Sequence, residues 1–299
     1  MQDDFKQTNI HRAKMADKAM TGVFYAVGGF FLVFLLFLAG YIIIKGISSY
    51  YPGLLSFTKN GIGNQLFNTV YLVFLSLLIS VPLGLASGIY MAEYAKPGRL
   101  LKFLRICIES LSSLPSIVIG LFGYLVFILM TGMQWNLLAG ALAVSILSLP
   151  AITTTTEDVI RSLPKGYKLG SMALGATHWQ TIVKVLIPTC TARIMTGVLL
   201  VAGRGFGEAA ALLYTAGQST NINWSNFNIT SPTCPWNLFR PGETLALHIW
   251  AMRTEGSLNV HSTDIANFSS AVLVILVLVF SLLTRMLSRR YEKKIGGSK

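Results

Sequence analysis

The sequence predicts an all-α, polytopic membrane protein of six transmembrane helices, and three observations carry that expectation. Hydrophobic residues make up 53% of the 299 and charged residues only 12%, and the mean hydropathy of +0.60 is too high for a soluble domain. Several apolar runs reach the roughly 20 residues that a helix needs to cross a bilayer. Most of the basic residues fall in four blocks separated by pairs of those runs, the alternation that the positive-inside rule produces.

The first span runs from Thr21 to Ile47. It is too long for a secretory h-region and no small-residue cleavage site follows it, so it reads as a retained helix. Span two covers Leu66 to Glu93, span three Leu104 to Met130 with a bend at Pro115, span four Leu137 to Thr156, span five Ala192 to Ala216 and span six Phe268 to Leu287. Pro82, Pro115 and Pro150 are expected to interrupt spans two, three and four. Pro115 sits among Ser112, Ser113 and Ser116, and broken helices with hydroxyls line cavities in transporters, although proline kinks also serve simple packing. Ser113 and Ser116 are therefore candidate path residues.

The basic blocks fix the expected orientation. Lys6, Arg12, Lys14 and Lys18 precede span one; Lys96, Arg99, Lys102 and Arg105 follow span two; Arg161, Lys165, Lys168, Lys184 and Arg193 follow span four; Arg285, Arg289, Arg290, Lys293, Lys294 and Lys299 close the chain. All four lie on one side of a six-span path, which places both termini in the cytoplasm and turns Lys59 and Arg240 outward. The net charge of +12 is then a topology signal. Nucleic-acid binding is excluded as its meaning, since the tails are short and carry no interleaved aromatics. The chain divides into a cytoplasmic tail (1–20), a peripheral first helix with an external loop (21–65), a core domain (66–290) and a second tail (291–299). The core encloses cytoplasmic helices at 161–188 and an external loop at 217–267.

Two polar segments stand out between spans. Arg161 to Pro188 reads as two short amphipathic helices broken at Gly175, with Leu169, Met172, Ala173 and Ala176 on one face and Trp179, Ile182, Val183 and Leu186 on the other helix at the same spacing. Such a pair is built to be gripped by a moving partner. The external segment from Gly217 to Asn267, rich in Asn, Ser, Thr and Pro, turns helical over Thr244 to Met252; a lid or docking surface and a plain connector are equally open readings.

Chemistry leaves little trace. There is no Gly-Lys dipeptide and hence no phosphate cradle of the Walker A kind, so ATP hydrolysis has to come from another chain. Gly203, Gly205 and Gly207 lie inside an apolar span with no preceding strand and point to helix packing or distortion. The histidines at 11, 178, 248 and 261 are scattered, and Cys107, Cys190 and Cys234 have no metal-ligand spacing and no evident disulfide partner, so free thiols are expected. One charged pair lies at membrane depth: Arg204 and Glu208 share a helix face at i, i+4 in span five. A central charge costs roughly 2.5–3.5 kcal/mol on insertion, which favours a polar path over a mere internal glue.

At this point the residues carry a resemblance. GATHWQTIVKVLIP resembles the cytoplasmic signature of type I ABC importer permeases, with Gly175, Val185, Ile187 and Pro188 in the matching places and Leu169, Gly170 and Ser171 at its Glu-Ala-Ala positions. MAEYAKPGRLLKFLR, SLPSIVIGLFGY, TTTTEDVIRSLP and MTGVLLVAGRGFGEAAALLYTAG are similar to phosphate importer permeases of the PstA type, closely from Asn68 to Gly217. The resemblance implies an ATP-driven importer of inorganic phosphate working by alternating access. It implies a second homologous permease, two cytoplasmic ATPase subunits carrying ATP and Mg, an external phosphate-binding protein, and no cofactor on this chain. It further implies that Leu169, Gly170, Ser171, Gly175, Trp179, Ile182 and Pro188 serve the ATPase contact, Pro188 by stopping the element before span five. Arg204 and Glu208 would then attend the anion. A type I permease for sulfate or molybdate, and a stand-alone channel or membrane enzyme, remain alternatives.

Overall fold

The computed structural model describes residues 2–58, 61–219, 221–254 and 261–295, with side chains from residue 13 to residue 290. Lys59, the 255–260 stretch of the external loop, and the side chains of Lys6, Arg12, Lys293, Lys294 and Lys299 lie outside the described residues. The helices in chain order are α1 (Gln2–Ser48), α2 (Gly63–Ile89), α3 (Arg99–Ser113), α4 (Ser116–Gly123), α5 (Leu137–Arg161), α6 (Lys165–Ala173), α7 (His178–Thr181), α8 (Ile187–Phe206), α9 (Ala210–Thr215), α10 (Leu245–Thr254) and α11 (Ser262–Ile295). Wider π-helical turns extend α2 to Tyr94 and α4 to Leu129, and Ile182–Leu186 joins α7 to α8. Among the described residues five helices are long and apolar enough to cross a membrane, or six if α3 and α4 count as one broken span.

The centre of the bundle is the pair α2 and α5. Gly84 and Gly88 of α2 lie against Ile152 and Thr156 of α5, so closely that a Cβ on either glycine would come within 2.7 or 2.5 Å of its neighbour. Small residues one turn apart let two backbones approach where lipid supplies no hydrophobic drive for helices to associate. Ser145 adds a hydroxyl bond from α5 to the Ser76 carbonyl of α2, 3.0 Å. Asn136 starts α5 by accepting the Ala139 amide, 2.8 Å. α8 packs on α5 through Gly197 against Thr155 and on α11 through the Phe206 and Phe280 rings. α4 packs on α9, where Gly120 meets Ala211.

α1 is one helix from Gln2, touching α11 where Gly46 faces Ala271 while its apolar run from Val23 to Leu38 stays exposed. Three expectations are corrected. Pro82 and Pro150 lie inside unbroken helices, because the packed glycine seam holds both backbones in place. Of these three prolines Pro115 alone breaks its span, and it does so by 100°. The proline ring forces Leu114 into extended backbone (ψ 134), which no helix can continue. The fifth span is displaced: the helix runs without a stop from His178 through Pro188 to Phe206 and is broken after Gly207. Pro188 lies inside that continuous run, directly after the π turn Ile182–Leu186, so it does not end the preceding element.

Candidate functional site

The bundle has a basic end, where α2, α5 and the 165–186 hairpin meet, and an opposite end closed by the 217–254 loop. The hairpin is two helices folded on each other. Gly175 makes the turn at φ +83, a left-handed conformation that glycine adopts without strain. Thr177 then starts α7 with a reciprocal cap: its hydroxyl accepts the Gln180 amide at 3.2 Å and its own amide donates to Gln180 Oε1 at 3.0 Å. Ser171 and Thr181 hydroxyls join the two helices at 3.0 Å.

The hairpin's apolar face is uncovered. Leu169 is 66% exposed, Leu174 91% and Trp179 60%, with Met172 beside them, and no atom stands within 4 Å of a Cβ built on Gly170 or Gly175. Ile182 is the exception among the residues expected at a partner contact. It is fully buried with Ile89, Val159, Ile160, Leu186, Cys190 and Ile194, so it roots the hairpin in the bundle rather than facing a partner.

Acidic residues that the sequence reading passed over fix the hairpin in place. Glu93 Oε2 lies 2.6 Å from Lys168 Nζ of α6 and 2.9 Å from His178 Nε2 of α7, and the Tyr94 ring packs on the His178 imidazole at 4.9 Å. Glu157 Oε1 takes Arg105 of α3 at 2.7 Å and Arg161 at 2.9 Å, and Arg161 also donates to the Met91 carbonyl at 2.8 Å. Residues counted only as topology markers are thus specific ties. The signal was present in the sequence: Glu93 and Glu157 are acids at the basic ends of apolar spans, where the charge pattern has no use for them.

The second constellation is the break in span five. α8 ends at Phe206, with the Gly207 amide turning back to the Arg204 carbonyl at 3.1 Å. Glu208 is buried and accepts the Ala211 amide at 3.1 Å, starting α9. The expected Arg204–Glu208 pair is therefore absent among the described residues: the helix stops between them, and the carboxylate is committed to α9. Arg204 is exposed and makes no ion pair among the described residues. Gly205 packs on Val73 and Val144, and Gly207 marks the break, as the glycine run suggested. Ser113 and Ser116 flank the break at Pro115. Ser113 donates to the Ser110 carbonyl at 2.8 Å, and no hydrogen bond joins either serine to Arg204 among the described residues. The α4–α9 contact through Ile119 and Ala211 brings the two broken spans side by side.

The opposite end is closed by its own loop. Arg240, 1% exposed, donates to Asn68 Oδ1 at 2.6 Å and to the Pro235 and Pro241 carbonyls, and burial pulls its guanidinium down to about 10. Glu243 Oε2 bonds Gln65 at 3.2 Å and His248 at 3.0 Å. Asn68 and Thr69 hold the Glu243 carbonyl and the Leu245 amide. Arg240 is a pin inside a packed plug, so it offers no surface for a label, and the three cysteines are free thiols.

Comparison with known proteins agrees with this architecture. The family described as "Binding-protein-dependent transport system inner membrane component" matches residues 84–297. The chain is 47% identical over 297 residues, 95% of its length and 99% of the relative's, to "Probable ABC transporter permease protein YqgI" of Bacillus subtilis strain 168. It is 34% identical over 233 residues, 78% of its length and 76% of the relative's, to "Phosphate transport system permease protein PstA" of Xylella fastidiosa strain 9a5c. Among solved structures, a chain of a bacterial alginate ABC transporter, crystallised with its alginate-loaded periplasmic protein, superposes with a TM-score of 0.66 over 93% of this chain and 96% of that one, at 16% identity. That likeness is one of fold.

Proposed function

We propose, from the premise that this chain belongs to the family of inner membrane components of binding-protein-dependent transport systems, that it is the permease subunit of an importer for inorganic phosphate. Family membership makes the chain the membrane subunit and not the ATPase. The observation that carries the phosphate reading is Arg204, an exposed guanidinium with no carboxylate partner among the described residues, placed where the fifth span is broken. Discontinuous helices present backbone dipoles and free side chains to an ion in transit. A guanidinium offers planar, paired donors that match a phosphate oxyanion. Relatives named as phosphate permeases support the same substrate.

In this reading a second, homologous permease completes the pathway and two ATPase subunits carrying ATP and Mg bind the exposed faces of the two hairpins. An external binding protein delivers the anion at the loop end. Leu169, Met172, Leu174 and Trp179 form the apolar docking surface, Leu169 standing where the signature has its acid. Both termini and the hairpin lie in the cytoplasm, residues 66–290 form the core and α1 lies at its periphery. An impermeant thiol reagent on intact cells then labels Phe227→Cys and leaves Lys165→Cys untouched. The deciding experiment is ATP-dependent uptake of labelled phosphate by the reconstituted complex, with sulfate and molybdate as competitors. Phosphate uptake that neither competitor suppresses is expected; preferred uptake of sulfate or molybdate overturns the substrate, and uptake without ATP overturns the permease mechanism.

A further inference from the structure

We infer that Glu93 is the positioning residue through which displacement of the hairpin reaches the membrane helices: one carboxylate at the end of α2 that holds both hairpin helices and makes them move with α2. The inference rests on the reading of the hairpin as the ATPase contact.

The geometry points to Glu93 because α7 is already continuous with α8, whereas α6 reaches the membrane helices by side chain through this carboxylate among the described residues. α6 buries none of its residues. Its side-chain bonds among the described residues are Ser171 to Thr181, which stays within the hairpin, and Lys168 to Glu93, which leaves it. α7 is held by the same carboxylate through His178, while Ile182 continues it into the core. One side chain thus ties both hairpin helices to α2, beside the Ser171–Thr181 bond that joins them to each other. A carboxylate shared by an ammonium and an imidazole makes charge-assisted bonds, stronger than those between neutral groups.

What Glu93 is attached to gives the inference its reach. α2 is the helix seamed to α5 by Gly84 and Gly88, and at its other end Asn64, Gln65, Asn68 and Thr69 bond Trp224, Glu243, Arg240 and Leu245 of the loop. A push on α6 or α7 is therefore delivered to one rigid rod whose far end holds the opposite face of the protein. Coupling between distant sites needs such an element with two positions. A plain staple role for Glu93 would show as lost assembly; a positioning role shows as lost coupling.

The test uses the reconstituted complex. Glu93→Gln keeps the side chain's shape and one acceptor while removing the charge. ATPase co-purification and ATP hydrolysis are expected to persist, whereas phosphate uptake per ATP falls about tenfold, the size seen when a residue on a coupling route is changed. The charge-reversed pair Glu93→Lys with Lys168→Glu is expected to recover uptake that Glu93→Lys alone loses. A readout independent of the substrate is the thiol-labelling rate of Val70→Cys on α2, in an otherwise cysteine-free chain. Trapping the ATPase closed with ATP and vanadate should change that rate in the parent and leave it unchanged with Glu93→Gln. The inference is overturned by an unaltered labelling response in Glu93→Gln, or by assembly, hydrolysis and uptake falling together. Failure of Trp179→Ala to weaken ATPase binding instead sinks the docking reading, and uptake of another anion sinks the substrate; the labelling response judges Glu93 in either case.

Discussion

The two ends of the bundle are built on opposite plans. At the loop end every charged group described in the plug is answered within the chain: Arg240 by Asn68 and two carbonyls, Glu243 by Gln65 and His248. At the basic end the hairpin is secured on one side only, by Glu93 and Ile182, and turns Leu169, Met172, Leu174 and Trp179 to the outside. The difference teaches how each end is held. The loop end is locked by charged groups answered inside the plug, even though Phe227, Ile229 and Phe239 stand exposed on its surface, whereas the hairpin is held from one side and leaves its apolar face open.

That contrast makes substitutions at the two ends fail in different ways. The largest effect belongs to Arg240→Met, which strands the Asn68 and Pro235 oxygens in a buried site. A loss of about 3 kcal/mol is expected, read as a lower unfolding temperature of the purified protein, with ATPase binding by the folded fraction unchanged. Trp179→Ala should do the reverse, leaving the unfolding temperature in place while weakening ATPase binding by about 2 kcal/mol, or thirtyfold. Equal losses of stability from both changes would erase the distinction. Gly175→Val comes next: open space surrounds the Cα, so nothing is overfilled, and the cost is the left-handed backbone, about 1–2 kcal/mol. Transport should fall while membrane level holds, and Gly175→Asn, which tolerates that conformation, should lie between. The smallest effect is at Gly170→Ala. Its stability cost is expected within about 0.5 kcal/mol, so a clear drop in ATPase co-purification would mark Gly170 as covered by the partner.

Much of the plan was legible because bilayer physics writes itself into composition. Apolar length and basic blocks gave the helices, and helical spacing around Gly175 gave the hairpin with its turn in the right place. Local chain geometry was less legible. The sharp turn at Pro115 followed from the residue before a proline, yet Pro82 and Pro150 in the same kind of span did not bend it, because glycine packing between α2 and α5 decides there. Arg204 and Glu208 looked paired at i, i+4 until the helix stopped between them. Ile182 carried the right spacing for the outer face but packs into the core beside Ile89, Val159 and Ile160, a contact between distant segments that spacing does not show. The ties from Glu93 to Lys168 and from Glu157 to Arg105 span 75 and 52 residues of sequence, and spacing along one helix shows neither of them.

Because Glu208 caps α9 and does not pair with Arg204, removing Arg204 strands no buried charge, and its role can be tested without a folding defect in the way. The direct measurement is labelled phosphate uptake, alongside ATP hydrolysis, in proteoliposomes carrying the Arg204→Gln complex. With Arg204 on the anion's path, uptake is nearly abolished while assembly and basal hydrolysis stay at the parent level, since a neutral amide fills the space without offering a charge. Phosphate uptake at the parent rate would contradict the account.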